Sequence, residues 1–177
     1  TIVSGGGAPD DAQIADGQIL FSDSPGADFV ISEAALEAFA GLSSVILQAD
    51  SGITINDLAD NVLAFQTGSG YSVNFTTLGS GVFTMNPGDT ILTQGGAINI
   101  TSGAIAAGNL QTSGGPVNLT GNGTGSETVS TGEINTVNNL AAGAQGGYVN
   151  IYNNSPSGAV MVNGPINTFG TNAAAGT

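Results

Sequence analysis

No lysine, arginine, histidine, cysteine or tryptophan occurs anywhere in the 177 residues. Charged residues make up 7% of the chain, all of them acidic, and the formal net charge is −13. An average soluble domain is about 25% charged, with both signs present. Each absence excludes a class of function. Nucleic-acid binding needs Lys or Arg to neutralise phosphate, and attraction to anionic lipid needs the same residues. A P-loop lysine, an arginine clamp, a Schiff-base lysine and histidine acid–base catalysis all lack their side chain. Structural zinc and iron–sulfur sites lack their histidine and cysteine ligands. No disulfide staples the chain. No side-chain salt bridge can form, so apolar burial and hydrogen bonding must hold the fold. No run of 18 apolar residues is present to span a membrane. The chain shows no signal-peptide pattern and starts at Thr1 rather than Met, which reads as a processed product or an excised segment.

What is present points to β-structure. Hydrophobic residues reach 40% and 29 residues are glycine. That is too apolar for a typical charged disordered chain and about twice the usual glycine share. Gly, Asn, Thr and β-branched residues together describe many short strands joined by tight turns. One short helix is predicted over Ala34–Ala40, capped by Ser32, with Glu33 at its positive end and Gly41 stopping it. Strands are expected at Val45–Ala49, Ile53–Asn56, Ser72–Phe75 and Val82–Met85, where apolar residues alternate with Thr, Asn and Gln. Asn86-Pro87-Gly88-Asp89 has Pro and Gly where a type II turn places them.

An internal repeat decides the architecture. Gly95-Gly96-Ala97-Ile98-Asn99-Ile100-Thr101 recurs as Gly114-Gly115-Pro116-Val117-Asn118-Leu119-Thr120 at an offset of 19. It recurs again as Gly146-Gly147-Tyr148-Val149-Asn150-Ile151-Tyr152 after a further 32. A second element, Gly103-Ala104-Ile105, aligns with Gly132-Glu133-Ile134-Asn135-Thr136 and Gly164-Pro165-Ile166-Asn167-Thr168. The residues around Val129 and Val160–Val162 read as an additional strand in the longer copies. A repeat of this length with two or three short strands is one coil of a parallel β-solenoid, whose coils bury their apolar faces only by stacking. The expected fold is therefore all-β, a solenoid of five to seven coils with one short helix in its N-terminal half. An antiparallel sandwich is the competing fold. Asn99, Asn118 and Asn150 fall at equivalent positions and either stack as an amide ladder or face solvent. The acids are unevenly spread, ten of the thirteen lying in the first 60 residues. This suggests an acidic cap or extension over residues 1–30, followed by solenoid repeats over 31–177.

The G-G-x-V-N-I-x and G-x-I-N-T motifs resemble the repeats of filamentous-haemagglutinin-like bacterial exoproteins, notably those of cyanobacteria, and Leu36–Asn56 is similar to coils of the same proteins. The resemblance covers about residues 30–177. It implies a right-handed parallel β-helix, export to the cell surface and a role in adhesion or surface structure. A rod with two open ends would be a template for end-to-end stacking into a filament.

Candidate sites are few. Asp10, Asp11, Asp16, Asp23 and Asp28 crowd the N-terminal region, and calcium takes six to eight oxygens from such clusters. Calcium is accordingly a possible ligand there, although no cofactor is required, and Asp50, Asp57 and Asp60 form a weaker second group. Paired carboxylates also serve glycosidases, but no basic residue is present to hold an anionic sugar, and the chain is expected not to be an enzyme. Thr76, Thr101 and Thr120 lack the strict register of an ice-binding face. Tyr148 and Tyr152 lie on one side of a strand, where they either pack at the rim or stack on a sugar. The expected partners are further copies of the chain or cell-surface glycans. The resulting expectation is a secreted, extracellular structural or adhesive solenoid, or a calcium- or carbohydrate-binding segment of a large adhesin.

Overall fold

The structure is a computed structural model that describes residues 1–23, 26–39, 43–138 and 144–170. It is an all-β parallel solenoid of about six turns. The N-terminal turn holds β1 (Ile2–Val3), a 3-10 turn at Asp11–Ile14, β2 (Gln18–Ile19), β3 (Ile31–Ser32) and helix α1 (Glu33–Glu37). Five coils of three strands follow. They are β4 (Val45–Ala49), β5 (Gly52–Ile55) and β6 (Val62–Gly68); then β7 (Ser72–Thr77), β8 (Val82–Met85) and β9 (Thr90–Gln94); then β10 (Ala97–Ser102), β11 (Ala104–Ala106) and β12 (Asn109–Gln111). The last two coils are β13 (Val117–Gly121), β14 (Val129–Thr131) and β15 (Ile134–Asn135), and β16 (Val149–Asn153), β17 (Val160–Val162) and β18 (Ile166–Asn167).

Three parallel sheets run along the rod. The first has the order β17-β14-β11-β8-β5-β1-β3, the second β16-β13-β10-β7-β4-β2, and the third β18-β15-β12-β9-β6. At the usual strand spacing the stack is about 30 Å long. Inward residues lie directly over one another: Val73, Ile98, Val117 and Val149 form one row, and Phe75, Ile100, Leu119 and Ile151 the next. Each sheet contributes one ring to an aromatic contact in the core. Phe65 meets Phe75 at 6.3 Å and Phe75 meets Phe83 at 5.1 Å, both tilted edge contacts.

The Gly-Gly pairs mark one corner, and their two glycines do different things. The first takes a positive φ in two of the pairs, +95° at Gly95 and +108° at Gly114, whereas at Gly146 a Cβ would collide with the Thr168 carbonyl. The second leaves no room for a side chain, because a Cβ at Gly115 would collide with the carbonyl of Gly96 and one at Gly147 with that of Gly115. A buried threonine closes each corner. The Thr93 hydroxyl donates to the Gly96 carbonyl at 2.6 Å, Thr112 donates to Gly115, and Thr136 to Gly147 at 2.5 Å. All three threonines are fully buried.

Helix α1 is shorter than expected. Ser32 caps it, its Oγ accepting from the Ala35 amide at 3.2 Å, and it ends at Glu37; Ala40 and Gly41 lie outside the described residues. The turn at Asn86–Asp89 closes with the Asp89 amide on the Asn86 carbonyl, but Gly88 does not take the positive φ of a type II turn. The second repeat element also needs correction. Ile105 stacks on Val129 and Val160 in the first sheet, whereas Ile134 and Ile166 stack on Leu110 in the third. Every coil has three strands, so the strand at Val129 is not an addition. The tight coil turns from β10 to β11 on Gly103 alone, while β13 reaches β14 through residues 122–128. Aligning on Gly-x-Ile matches strands of different sheets.

The corner gives a stability test. Thr112→Val leaves the buried Gly115 carbonyl without its donor and is expected to cost about 1–3 kcal/mol. Gly115→Ala, which forces a methyl into backbone, is expected to cost more. Urea unfolding followed by circular dichroism measures both, and equal stability of Thr112→Val and parent would remove the threonine from the corner's energetics.

Candidate functional site

Four of the five aspartates read as calcium ligands are hydrogen-bonded to strand edges. In β3 the Ile31 amide donates inward to the Thr1 carbonyl, so the amides of Val30 and Ser32 point to the free side. Asp10 Oδ2 accepts from Val30 at 2.7 Å, and Asp11 Oδ1 accepts from Ser32 at 2.7 Å. In β2 the free-side amides are those of Gln18 and Leu20. Asp16 Oδ1 takes the first at 3.1 Å and Asp23 Oδ2 the second at 2.8 Å.

The third sheet repeats the device. On the free side of β6, Asp60 Oδ1 accepts from Val62 at 3.0 Å and Glu37 Oε1 from Ala64 at 2.7 Å. Six carboxylates thus hold six edge amides, two in each sheet, all at the N-terminal end. Such charge-assisted bonds are stronger than neutral ones, and they occupy the positions at which a further strand would pair. Glu33 adds a seventh, its Oε2 accepting from the Gly5 amide at 2.9 Å.

Asp16-Gly17-Gln18 and Asp60-Asn61-Val62 use one local turn. The aspartate reaches the amide two residues on, across a residue of positive φ, +85° at Gly17 and +62° at Asn61. An aspartate two residues before a strand is the sequence signal that identifies these caps, and it was not used.

Asp28, the fifth predicted ligand, is exposed at the mouth of a cleft lined by Ile2, Ile19, Phe29, Ile31, Leu47 and Ile53, with Asp50 on the same rim. Asp57 accepts from the Asn86 side chain at 2.5 Å. Among the described residues, no three carboxylates come together in an arrangement that could hold a metal ion. Both oxygens of Asp11 and Asp16, and one oxygen each of Asp10 and Asp23, accept hydrogen bonds from the chain itself.

Hydrogen bonding sets the electrostatics of the cap. The Ser32 amide, with the Ser32 hydroxyl and the Ala8 amide, holds the Asp11 carboxyl below the ordinary aspartate range. Glu37 moves the other way: partial burial, with Glu33 and Asp60 nearby, raises it despite the Ala64 bond. Farther along the rod, Glu127 is held low by amides of its own turn, including Gly125 at 2.6 Å. Asp89, expected in a surface turn, is fully buried. Its Oδ2 accepts from the Leu58 amide at 3.1 Å in the preceding coil, while its Oδ1 has no partner.

The outward face of the second sheet is the other notable surface. Asn150 donates to Asn118 at 3.0 Å, Asn118 to Asn99 at 2.8 Å, and Asn99 to Asn74 at 2.8 Å; Asn74 donates on to the Val45 carbonyl at 3.2 Å. The amide ladder and the solvent-facing position are both realised, in one column that sequence reasoning extended to three of its four rungs. Beside it runs a column of Gln48, Thr76, Thr101, Thr120 and Tyr152. Tyr148 and Tyr152 flank Asn150 on this face and are 60% and 59% exposed. The face carries no charge. Among the described residues, no helix is long and apolar enough to cross a membrane. Comparison with protein-family models, with curated proteins and with solved structures finds no match to the chain.

The lowered Asp11 group fixes a sign for pH dependence. Its charged form is favoured by folding, so its contribution is present above the unfolded aspartate range of about 4 and is lost as pH falls through the lower folded value. Asp11→Asn is expected to melt below the parent at pH 7 and to approach it in acid. Melting curves across that range check this, and a constant gap at every pH would contradict it.

Proposed function

We propose that the chain is a non-enzymatic structural and adhesive element of an extracellular surface. Three features support this reading. The rod is uniform, its cohesion comes from backbone ladders and apolar rows, and its sequence offers trypsin-like proteases no Lys or Arg to cut. The resemblance of its motifs to filamentous-haemagglutinin-like repeats points the same way.

The observation that carries the adhesive part is the pair of exposed tyrosines beside the amide column. A sugar ring stacks its C–H face on an aromatic ring, and amides offer donors and acceptors to its hydroxyls. A strand separates residues i and i+4 by about 13 Å, so Tyr148 and Tyr152 span more than one sugar unit of an extended polymer. The face is uncharged within a chain of net charge −13, which favours a neutral glycan over an anionic one. A fibre growing through both ends is the finer form of this proposal, but the edge amides at the N-terminal end already have carboxylate acceptors.

Retention of the purified chain on immobilised neutral polysaccharides tests adhesion. The parent is expected to bind at least one, and Tyr148→Ala/Tyr152→Ala to bind about tenfold more weakly at unchanged melting temperature. Equal retention of parent and double variant would exclude this face as the adhesive site. Release of soluble sugar would replace the structural reading with an enzymatic one.

A further inference from the structure

Two columns stand in strict register on the outward face of the second sheet. Asn74, Asn99, Asn118 and Asn150 form one, and Thr76, Thr101 and Thr120 form the next. Along the chain the asparagines are 25, 19 and 32 residues apart, because the coils differ in length. In space each residue lies one strand from the last. The threonines, which show no strict register in the sequence, acquire one in the fold.

The columns differ in what they leave free. Along the ladder every Nδ2 donates toward the N-terminal side, and Asn74 ends the chain of bonds on the Val45 carbonyl and the Ser72 hydroxyl. A side-chain amide has two N–H donors and two acceptor lone pairs. Asn99 and Asn118 each use one of each within the ladder and keep one of each. The hydroxyls of Thr76, Thr101 and Thr120 have no hydrogen-bond partner among the described residues. The buried Thr93, Thr112 and Thr136 hydroxyls, by contrast, are all engaged. No Asp or Glu stands on β7, β10, β13 or β16.

The ladder repeats at the strand spacing of about 4.8 Å, a distance set by N–H···O=C bonds between stacked amides. Acetamido groups that stack on one another through the same bond keep the same spacing. A polysaccharide whose N-acetylated chains are stacked in this way presents a row of amides of matching period.

We propose that this face binds an insoluble N-acetylated polysaccharide, its stacked chains lying parallel to the strands so that one chain meets each coil. The proposal rests on the adhesive reading above and names the glycan. The spare N–H and lone pair of Asn99 and Asn118 bond to acetamido groups of successive chains. The threonine hydroxyls bond to sugar hydroxyls. Because the periods match, a bond made at one rung places the next chain at the next rung, and the contributions accumulate along the rod. A free sugar engages a single rung and gains no such accumulation. The polymer is neutral, as suits an uncharged face on a chain of net charge −13.

Retention of the full chain on chitin and on cellulose, which lacks the acetamido group, tests this at high ionic strength. The parent is expected to be retained about tenfold more strongly on chitin, the effect of two or so neutral hydrogen bonds. Asn99→Leu/Asn118→Leu is expected to lose that preference. Thr101→Val/Thr120→Val, which leaves the ladder intact, is expected to weaken retention on both polymers alike. A circular dichroism spectrum matching the parent shows that each variant is folded. Free N-acetylglucosamine at the same sugar concentration is expected to leave retention on chitin unchanged. Equal retention of the parent on the two polymers would overturn the proposal and leave the adhesive reading standing, whereas retention on no polysaccharide would remove both. Release by the free sugar, or a folded asparagine variant that keeps its preference for chitin, would also overturn it. A parent that sediments at twice 17.2 kDa while the asparagine variant stays at 17.2 kDa would assign the face to a second copy of the chain instead.

Discussion

A carboxylate accepting a hydrogen bond from an unpaired strand amide is the interaction on which this architecture depends. A parallel sheet is indefinite along its stacking direction, and something must stop it. Here Asp10, Asp11, Asp16, Asp23, Glu37 and Asp60 do so, two to each sheet. Short terminal strands and helix α1 reinforce the stop. An anion is well suited to this task because it only accepts, so it satisfies an amide without offering a donor to an incoming strand. Six of the ten acids in the first 60 residues thus have an internal role, as acceptors for edge amides.

The missing basic residues fit the same scheme. A lysine or arginine near these carboxylates would compete with the amides for their oxygens. With no cation among the side chains, these six carboxylates find their partners in the backbone. The rest of the rod needs little electrostatics. Stacked Val, Ile, Leu and Phe supply the burial, threonine hydroxyls close the corners, and asparagine side chains bond to one another along the outside.

Much of this was legible in the sequence, for identifiable reasons. The Gly-Gly pairs at 95, 114 and 146 have fixed steric duties at a corner, so they recur and reveal the coil. Alternation in Ser72–Phe75 and Val82–Met85 reports one buried face, and those strands form. The equivalence of Asn99, Asn118 and Asn150 is exact in register. What was missed lacks a strict period. Thr93 and Thr112 each sit three residues before the second corner glycine, but an 11-residue gap separates Thr136 from Gly147. Asn74 belongs to the ladder although no Gly-Gly pair precedes it. The clustered aspartates suggest calcium in the sequence, while their role as acceptors for strand amides is hidden there, because proximity in sequence says nothing about where each oxygen points. The partners of Asp10 and Asp11, at Val30 and Ser32, lie about 20 residues away.

The closed first turn also gives the stack a direction. Within the stack, β1 and β2 are held by β5 and β4 of the coil that follows them. Each later coil finds its template only in the coil completed just before it, since strand partners lie about 19 to 32 residues apart. Each coil thus both receives its register from one neighbour and gives it to the next.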